Sequence, residues 1–195
     1  MALASPDPRD AREPPALRER LQPALPPKSS AVPLGQGADI FLHVQTRRAG
    51  KVKGEAVEQG HTDDIALCGW QWGVQATAAV GSAAAARRRA YSELTVFKRI
   101  DRATTALLAA LATNDEVAQA KLTMRRAGGA QEDYFSISLS QARVTAVQHS
   151  TDAQGQTLES VALAFIKVEV EYHPQQASGL RSGSTMFSDE LPQGA

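Results

Sequence analysis

Residues 158–174 read LESVALAFIKVEVEYHP, the most regular stretch of the chain. Ile166, Val168, Val170 and Tyr172 alternate with Lys167, Glu169, Glu171 and His173. A period of two sends successive side chains to opposite faces of a strand, one apolar and one charged. Pro174 ends the pattern because it cannot donate to a ladder. The stretch predicts one strand over Leu158–Tyr172.

Similar alternation recurs upstream. Ile40, Leu42 and Val44 alternate with Phe41, His43 and Gln45. Val117–Arg126 and Glu132–Gln148 flank the turn AGGAQ, with Ala120, Leu122 and Met124 inward on one arm and Phe135, Ile137 and Leu139 on the other. That is a hairpin signal. Tyr91–Ile100 is another strand. Ile65–Val74 reads as a strand whose phase slips: Ile65 and Leu67 are odd, while Trp70, Trp72 and Val74 are even. A bulge produces such a slip, and Gly69 marks it. TRRAGKVKGEAVEQGH and AVGSAAAARRR read as loops. The exception to the period is ATTALLAALAT, Ala103–Thr113, where Leu107, Leu108 and Leu111 share a helical stripe and Asp101 or Thr104 can cap the start. The expected class is mainly β: a closed antiparallel barrel of about seven or eight strands, with one short flanking helix over about 103–113.

The ends differ. Eight of the ten prolines fall in residues 1–36, and residues 176–195 are rich in Ser and Gly. The expected organisation is a disordered extension (1–36), a folded domain (37–175) and a flexible tail (176–195) that Met186 and Phe187 could anchor. Lys+Arg and Asp+Glu are equal at 21 each, which argues against binding nucleic acid by phosphate neutralisation. One cysteine, Cys68, excludes an intrachain disulfide framework and a Cys-cluster metal site. No run suits a membrane span, and the N-terminus lacks the apolar core of a Sec signal.

No constellation carries chemistry, and no catalytic residue, cofactor or metal is expected. GHTDD (Gly60–Asp64) could bind metal or serve acid–base catalysis through His61 with Asp63 or Asp64; a polar loop feeding a strand explains it more simply. Arg87–Arg89 could touch an anion, but a solvated strand entry suffices. In GWQWG (Gly69–Gly73), Trp70, Trp72 and Val74 form one row and Gln71 faces the other way. The row reads as core together with Leu107, Leu111, Phe135, Ile137, Val168 and Val170. A monomeric ligand-binding barrel with a tryptophan-lined pocket is the alternative.

Six stretches carry a resemblance: DIFLHV (39–44), KVKGEAVEQGHTDDIAL (51–67), W-x-W-G at Trp70–Gly73, LTVFKRIDRATTALLAALATN (94–114), AKLTMRRAGGAQEDYFSISL (120–139) and ESVALAFIKVEVEYHPQ (159–175). In order and spacing they resemble the Hcp (haemolysin-coregulated protein) tube proteins of the bacterial type VI secretion system. The chain departs from that pattern in its proline-rich extension, extra residues before Lys53, a helix start without proline, and a tail without the Gly-Trp ending.

The resemblance implies a structural protein: a barrel with one helix, six copies per ring, and rings stacked into a tube inside a contractile sheath. The tube serves virulence and interbacterial competition, working with sheath and spike proteins and carrying effectors in its lumen. It is made in the cytoplasm and secreted without a Sec signal or membrane insertion. It also implies that Gln71 faces the lumen, that the loop with Lys53, Gly54, Glu55 and His61 contacts an adjacent subunit, and that Thr105, Ala106, Ala109 and Ala112 of the helix are candidates to face the sheath.

Overall fold

The structure is a computed structural model that describes residues 38–76, 89–126, 132–174 and 183–191. In chain order its elements are β1 (Ala38–Thr46), β2 (Gly50–Val52), β3 (Ile65–Leu67), β4 (Gly69–Gln71), β5 (Val74–Ala76), β6 (Arg89–Tyr91), β7 (Leu94–Arg99), α1 (Ala103–Ala112), β8 (Glu116–Arg126), β9 (Asp133–Thr151), β10 (Thr157–Ala164), β11 (Lys167–Tyr172) and β12 (Thr185–Glu190). The described residues are mainly β with one helix. Ten strands form one antiparallel sheet, and β5 and β6 pair separately.

The expected hairpin is β8–β9. Ala120 faces Leu139, Leu122 faces Ile137 and Met124 faces Phe135. The first two pairs are buried, and such cross-strand contacts fix register. The intervening AGGAQ stretch lies outside the described residues. β9 lends its other edge to two strands, β11 along Phe135–Ser140 and β10 along Arg143–Thr151. Between them Gln141 takes φ 51, a left-handed conformation that kinks the strand.

Leu158–Tyr172 is two strands. Val161, Leu163 and Phe165 are buried on odd positions, whereas Val168 and Val170 pack inward on even ones. Ile166, expected in the even row, sits at the break and is only half-buried. The phase also changes within Ile65–Val74, but at Cys68 rather than Gly69. There the partner changes: β3 pairs with β1, β4 pairs with β7, and the Cys68 N–H donates to the Phe97 carbonyl at 2.7 Å.

Two further expectations are corrected. Val74 is not core but 48 % exposed, because β5 has left the main sheet for a two-stranded ribbon that buries little. Thr185–Glu190, expected within a flexible tail, is β12, paired along β11. Met186 and Phe187 stay exposed on it. The 1–36 extension lies outside the described residues.

α1 begins where Asp101 and Thr104 cap each other. The Ala103 N–H donates to Asp101 Oδ1 at 2.9 Å, and the Asp101 N–H donates to Thr104 Oγ1 at 3.2 Å. Thr113 caps the end of the helix, and Asn114 beyond it, with φ of 51, turns the chain out. It packs on β9 and buries Ala103, Leu107 and Ala110. Leu111 is half-buried. Leu108, expected on the buried stripe, is 39 % exposed, because the buried face centres on Leu107 and Leu108 lies one position further round. The core gathers Leu42, Val44, Ile65, Val96, Ile137 and Val168, with Trp70, Trp72, Phe135 and Val170 packed at its margin.

Candidate functional site

Thr46–His61 was expected as one long loop. The structure makes Gly50–Val52 a strand on β1 and folds the remainder into a compact excursion. Its two legs are laced by Gly54 N–H to Asp63 O (3.0 Å), Ala56 N–H to Asp64 O (3.1 Å) and Asp63 N–H to Ala56 O (2.9 Å). Gly60 and Asp63 supply the positive φ values the bend requires, 87 and 61. Val57 projects from the tip, 84 % exposed.

Asp64 holds this excursion to the sheet. Its Oδ1 accepts from Lys51 Nζ (2.9 Å) and lies 3.0 Å from His43 Nδ1; its Oδ2 lies 3.2 Å from His61 Nδ1. His61 is buried, stacked on Phe41 at 4.2 Å between centroids, with Nε2 3.2 Å from Asp133 Oδ1. Arg125 Nε donates to that same oxygen at 3.0 Å. His61 is therefore interior, and the exposed surface of the loop is carried by Lys53, Glu55, Val57, Gln59, Gly60 and Thr62. Within GHTDD, Gly60 and Thr62 are exposed, whereas the buried Asp64 and His61 join loop to sheet. Among the described residues no group of three or more His, Cys, Asp or Glu is placed to hold a metal.

Burial is the largest influence on Asp64 and pushes its pKa up. Hydrogen bonds from Lys51, His43 and His61, with the Lys51 charge, outweigh it and hold the carboxyl below its usual range. The folded chain thus keeps Asp64 ionised to lower pH than the unfolded chain does. Its contribution to stability is complete above the unfolded value of about 3.9. It is lost as pH falls through the lower native value. Asp64→Asn should melt below wild type at neutral pH, and the gap should close below about pH 4. Melting curves across that range decide; a gap independent of pH would mean that the carboxylate charge is not what the substitution removes.

In GWQWG, Trp70 stacks on Phe135 (5.8 Å), and Trp72 stacks on Tyr91 (6.0 Å) and tilts against Phe165 (6.4 Å). Both rings are half-buried, whereas Gln71 is exposed. Of the ArgArgArg run, Arg87 and Arg88 lie outside the described residues. Arg89 Nη2 donates to Asp189 Oδ1 at 3.0 Å, and the Tyr91 hydroxyl donates to Asp189 Oδ2, clasping β6 to β12.

On α1, Thr105, Ala109 and Ala112 are exposed and Ala106 is half-buried. A groove of about 440 Å³ runs between this helix and the β1–β2 hairpin, lined by Ala106, Ala109 and Ala110 and by Arg48, Lys53 and Arg102.

The sequence reading missed a buried ionic cluster. Lys98 and Glu159 face each other across β7 and β10, and His149 faces Glu159 across β9. Lys98 Nζ is 3.1 Å from Glu159 Oε1 and donates to Asp101 Oδ1 at 2.6 Å, Thr104 Oγ1 at 3.0 Å and the Arg99 carbonyl at 3.0 Å. His149 Nε2 lies 2.8 Å from Glu159 Oε2. The one sequence signal is parity: Lys98 continues the inward row of Leu94 and Val96.

The family described as "Type VI secretion system effector, Hcp" matches residues 41–172. The chain is 34 % identical over 151 residues to protein hcp1 of Pseudomonas aeruginosa, an alignment spanning 74 % of this chain and 89 % of that protein. Among solved structures it resembles Hcp1 from Salmonella typhimurium, with TM-score 0.63, 24 % identity and coverage of 80 % of this chain and 95 % of the other. It also resembles a type six secretion system protein at TM-score 0.70, 22 % identity and coverage of 79 % and 96 %. These two structural likenesses speak to the fold.

Proposed function

Because the chain belongs to the Hcp family of type VI secretion proteins, we propose that it is a structural subunit of the secretion tube, assembling as hexameric rings that stack and carry effectors in their lumen. The family match across residues 41–172 carries this reading. Barrel closure is part of the proposal. One segment, Ile65–Gln71, pairs with β1 through β3 and with β7 through β4, so it can seam two strands from opposite ends of the pairing order. Sheath and spike proteins are the proposed apparatus partners, and catalysis is not part of the role. The folded unit is proposed to span residues 37–175 together with β12.

The tryptophan-lined pocket gains no support, since Trp70 and Trp72 are stacked on Phe135, Tyr91 and Phe165. Size-exclusion chromatography with light scattering, and negative-stain images, test the main reading. Hexameric rings are expected; a monomer at all concentrations would overturn it.

Within the ring, Gln71 is proposed to face the lumen, where its amide offers two donors and an acceptor to cargo. The outer face of α1 is proposed to meet the sheath. Gln71→Ser and Ala112→Glu should both leave rings intact. The first should change which effectors co-purify, and the second should block sheath assembly around the tube. An unchanged effector set, or a normal sheath, removes the corresponding contact.

A further inference from the structure

The groove between α1 and the β1–β2 hairpin is polarised along its length. Its floor is small and apolar, with Ala106, Ala109 and Ala110 on one helical face and Val52 from the hairpin. Its two ends differ in what they lack.

The end at Arg102, where α1 begins, lacks an anion. Lys53 Nζ lies 3.9 Å from Asp63 Oδ2, and Arg102 Nη2 lies 3.7 Å from Asp63 Oδ1. Two cations thus share one carboxylate, both beyond hydrogen-bonding distance, so their donors stay available. Neighbouring donors are already engaged. The Arg102 N–H donates to Glu55 Oε1 at 3.1 Å, and Lys51 Nζ donates to Asp64 Oδ1 and the Thr62 carbonyl, each at 2.9 Å. A further carboxylate is therefore received by the Lys53 and Arg102 side chains, and the positive end of the helix favours it there.

The end at Asp115 lacks a donor. Asp115 is only 5 % exposed, and its Oδ1 has no hydrogen-bond partner. Arg48 Nε, 3.9 Å away, offsets its charge but is too far to bond. A buried carboxylate oxygen without a donor is costly, and a neutral N–H or O–H brought by an occupant removes the cost. Arg102 and Thr113 bound α1, so the two ends stand roughly 16 Å apart. An extended chain covers that span in about five residues. Alanines let its backbone lie close, and its own N–H groups can serve Asp115.

We propose that this groove binds an extended acidic segment, about five residues long, of a partner protein. A carboxylate of the segment sits between Lys53 and Arg102, small or β-branched side chains cover the alanine floor, and an N–H or hydroxyl donates to Asp115 Oδ1. The site lies within one subunit and does not depend on the ring reading above.

Fluorescence anisotropy with labelled, end-blocked pentapeptides tests this. The probe carries glutamate at one end, then valine, alanine, valine and serine, and is made in both chain directions. One direction should bind the wild-type chain in whatever assembly state it takes. Arg102→Glu should weaken that binding about tenfold or more, the worth of one charge-assisted hydrogen bond. The same variant should bind the peptide in which lysine replaces glutamate. Ala109→Leu, which fills the floor, should weaken both. Arg102 and Ala109 are exposed, so melting curves should show both variants folded. The exchange of preference is a readout that loss of structure cannot mimic. No binding of either direction at millimolar peptide, binding indifferent to Ala109→Leu, or an Arg102→Glu chain that gains no lysine peptide would overturn the proposal. So would sedimentation velocity in which Ala109→Leu dissolves an assembly that the wild type forms, because the occupant is then a second copy.

Discussion

Lys98→Met should destabilise the fold by about 3–5 kcal/mol, the cost of stranding a buried charge. Lys98 and Glu159 are both 0 % exposed. The ammonium is the cation that Glu159 and Asp101 share, and methionine fills the volume without replacing it. Glu159 would keep only His149, and the capping carboxylate of α1 would lose its 2.6 Å partner. Glu159 Oε1 illustrates the stakes: it lies 3.1 Å from Lys98 Nζ yet lacks a hydrogen bond of good geometry, so charge proximity alone compensates it. Adding Glu159→Leu to Lys98→Met should recover a substantial part of the loss, because an apolar pair of similar volume strands less charge. Urea unfolding of the four proteins of the cycle measures this. A loss below about 1 kcal/mol for Lys98→Met would show that water reaches the site and screens it.

Gly54→Ala should cost about 3 kcal/mol, at the upper end for overpacking. A Cβ at this position would sit 2.1 Å from the Asp64 carbonyl oxygen, 2.5 Å from its carbon and 2.6 Å from Ile65 Cα. All three atoms are backbone, so no side chain can swing aside. The two legs must part, breaking the Gly54–Asp63 and Ala56–Asp64 bonds and displacing the carboxylate that Lys51, His43 and His61 share. Ile65, fully buried, would be dragged with them. Thermal melting reads the stability, and limited proteolysis near Val57 reads the loop. A variant with wild-type melting and wild-type proteolysis would show that the legs can separate without consequence.

The β framework was legible because its signal is local. Ala120 and Leu122 against Ile137 and Leu139 need only a period of two and an intervening turn. The helix was legible for the same reason. What the sequence hid depends on distant partners. The parity of Lys98 gives no sign of Glu159, which arrives opposite it from another part of the chain. His61 and Asp64 read as a wet loop because Asp133, His43 and Phe41 come from other strands. Thr185–Glu190 has no clean alternation; it is a strand because β11 offers it an edge. Val74 kept the apolar phase of Trp70 and Trp72, but phase says nothing about which sheet a strand joins. Val57 was the most opaque: it is one valine in a polar stretch, and only the folded excursion shows that it projects.

β9 gives the subunit a mechanical character. Along Phe135–Ser140 it is bonded on one edge to β8 and on the other to β11, and along Arg143–Thr151 it continues beside β10. A force along this strand loads a whole ladder in shear, and many bonds must yield together. A force on β12 meets a different geometry. Among the described residues that strand pairs only with β11, and apart from half-buried Asp189 its residues are exposed. Its bonds can open one after another, as a zipper does. Pulled away from β11, the strand β12 is expected to yield first, and the resistance it meets at Asp189 is the grip of Arg89 and Tyr91.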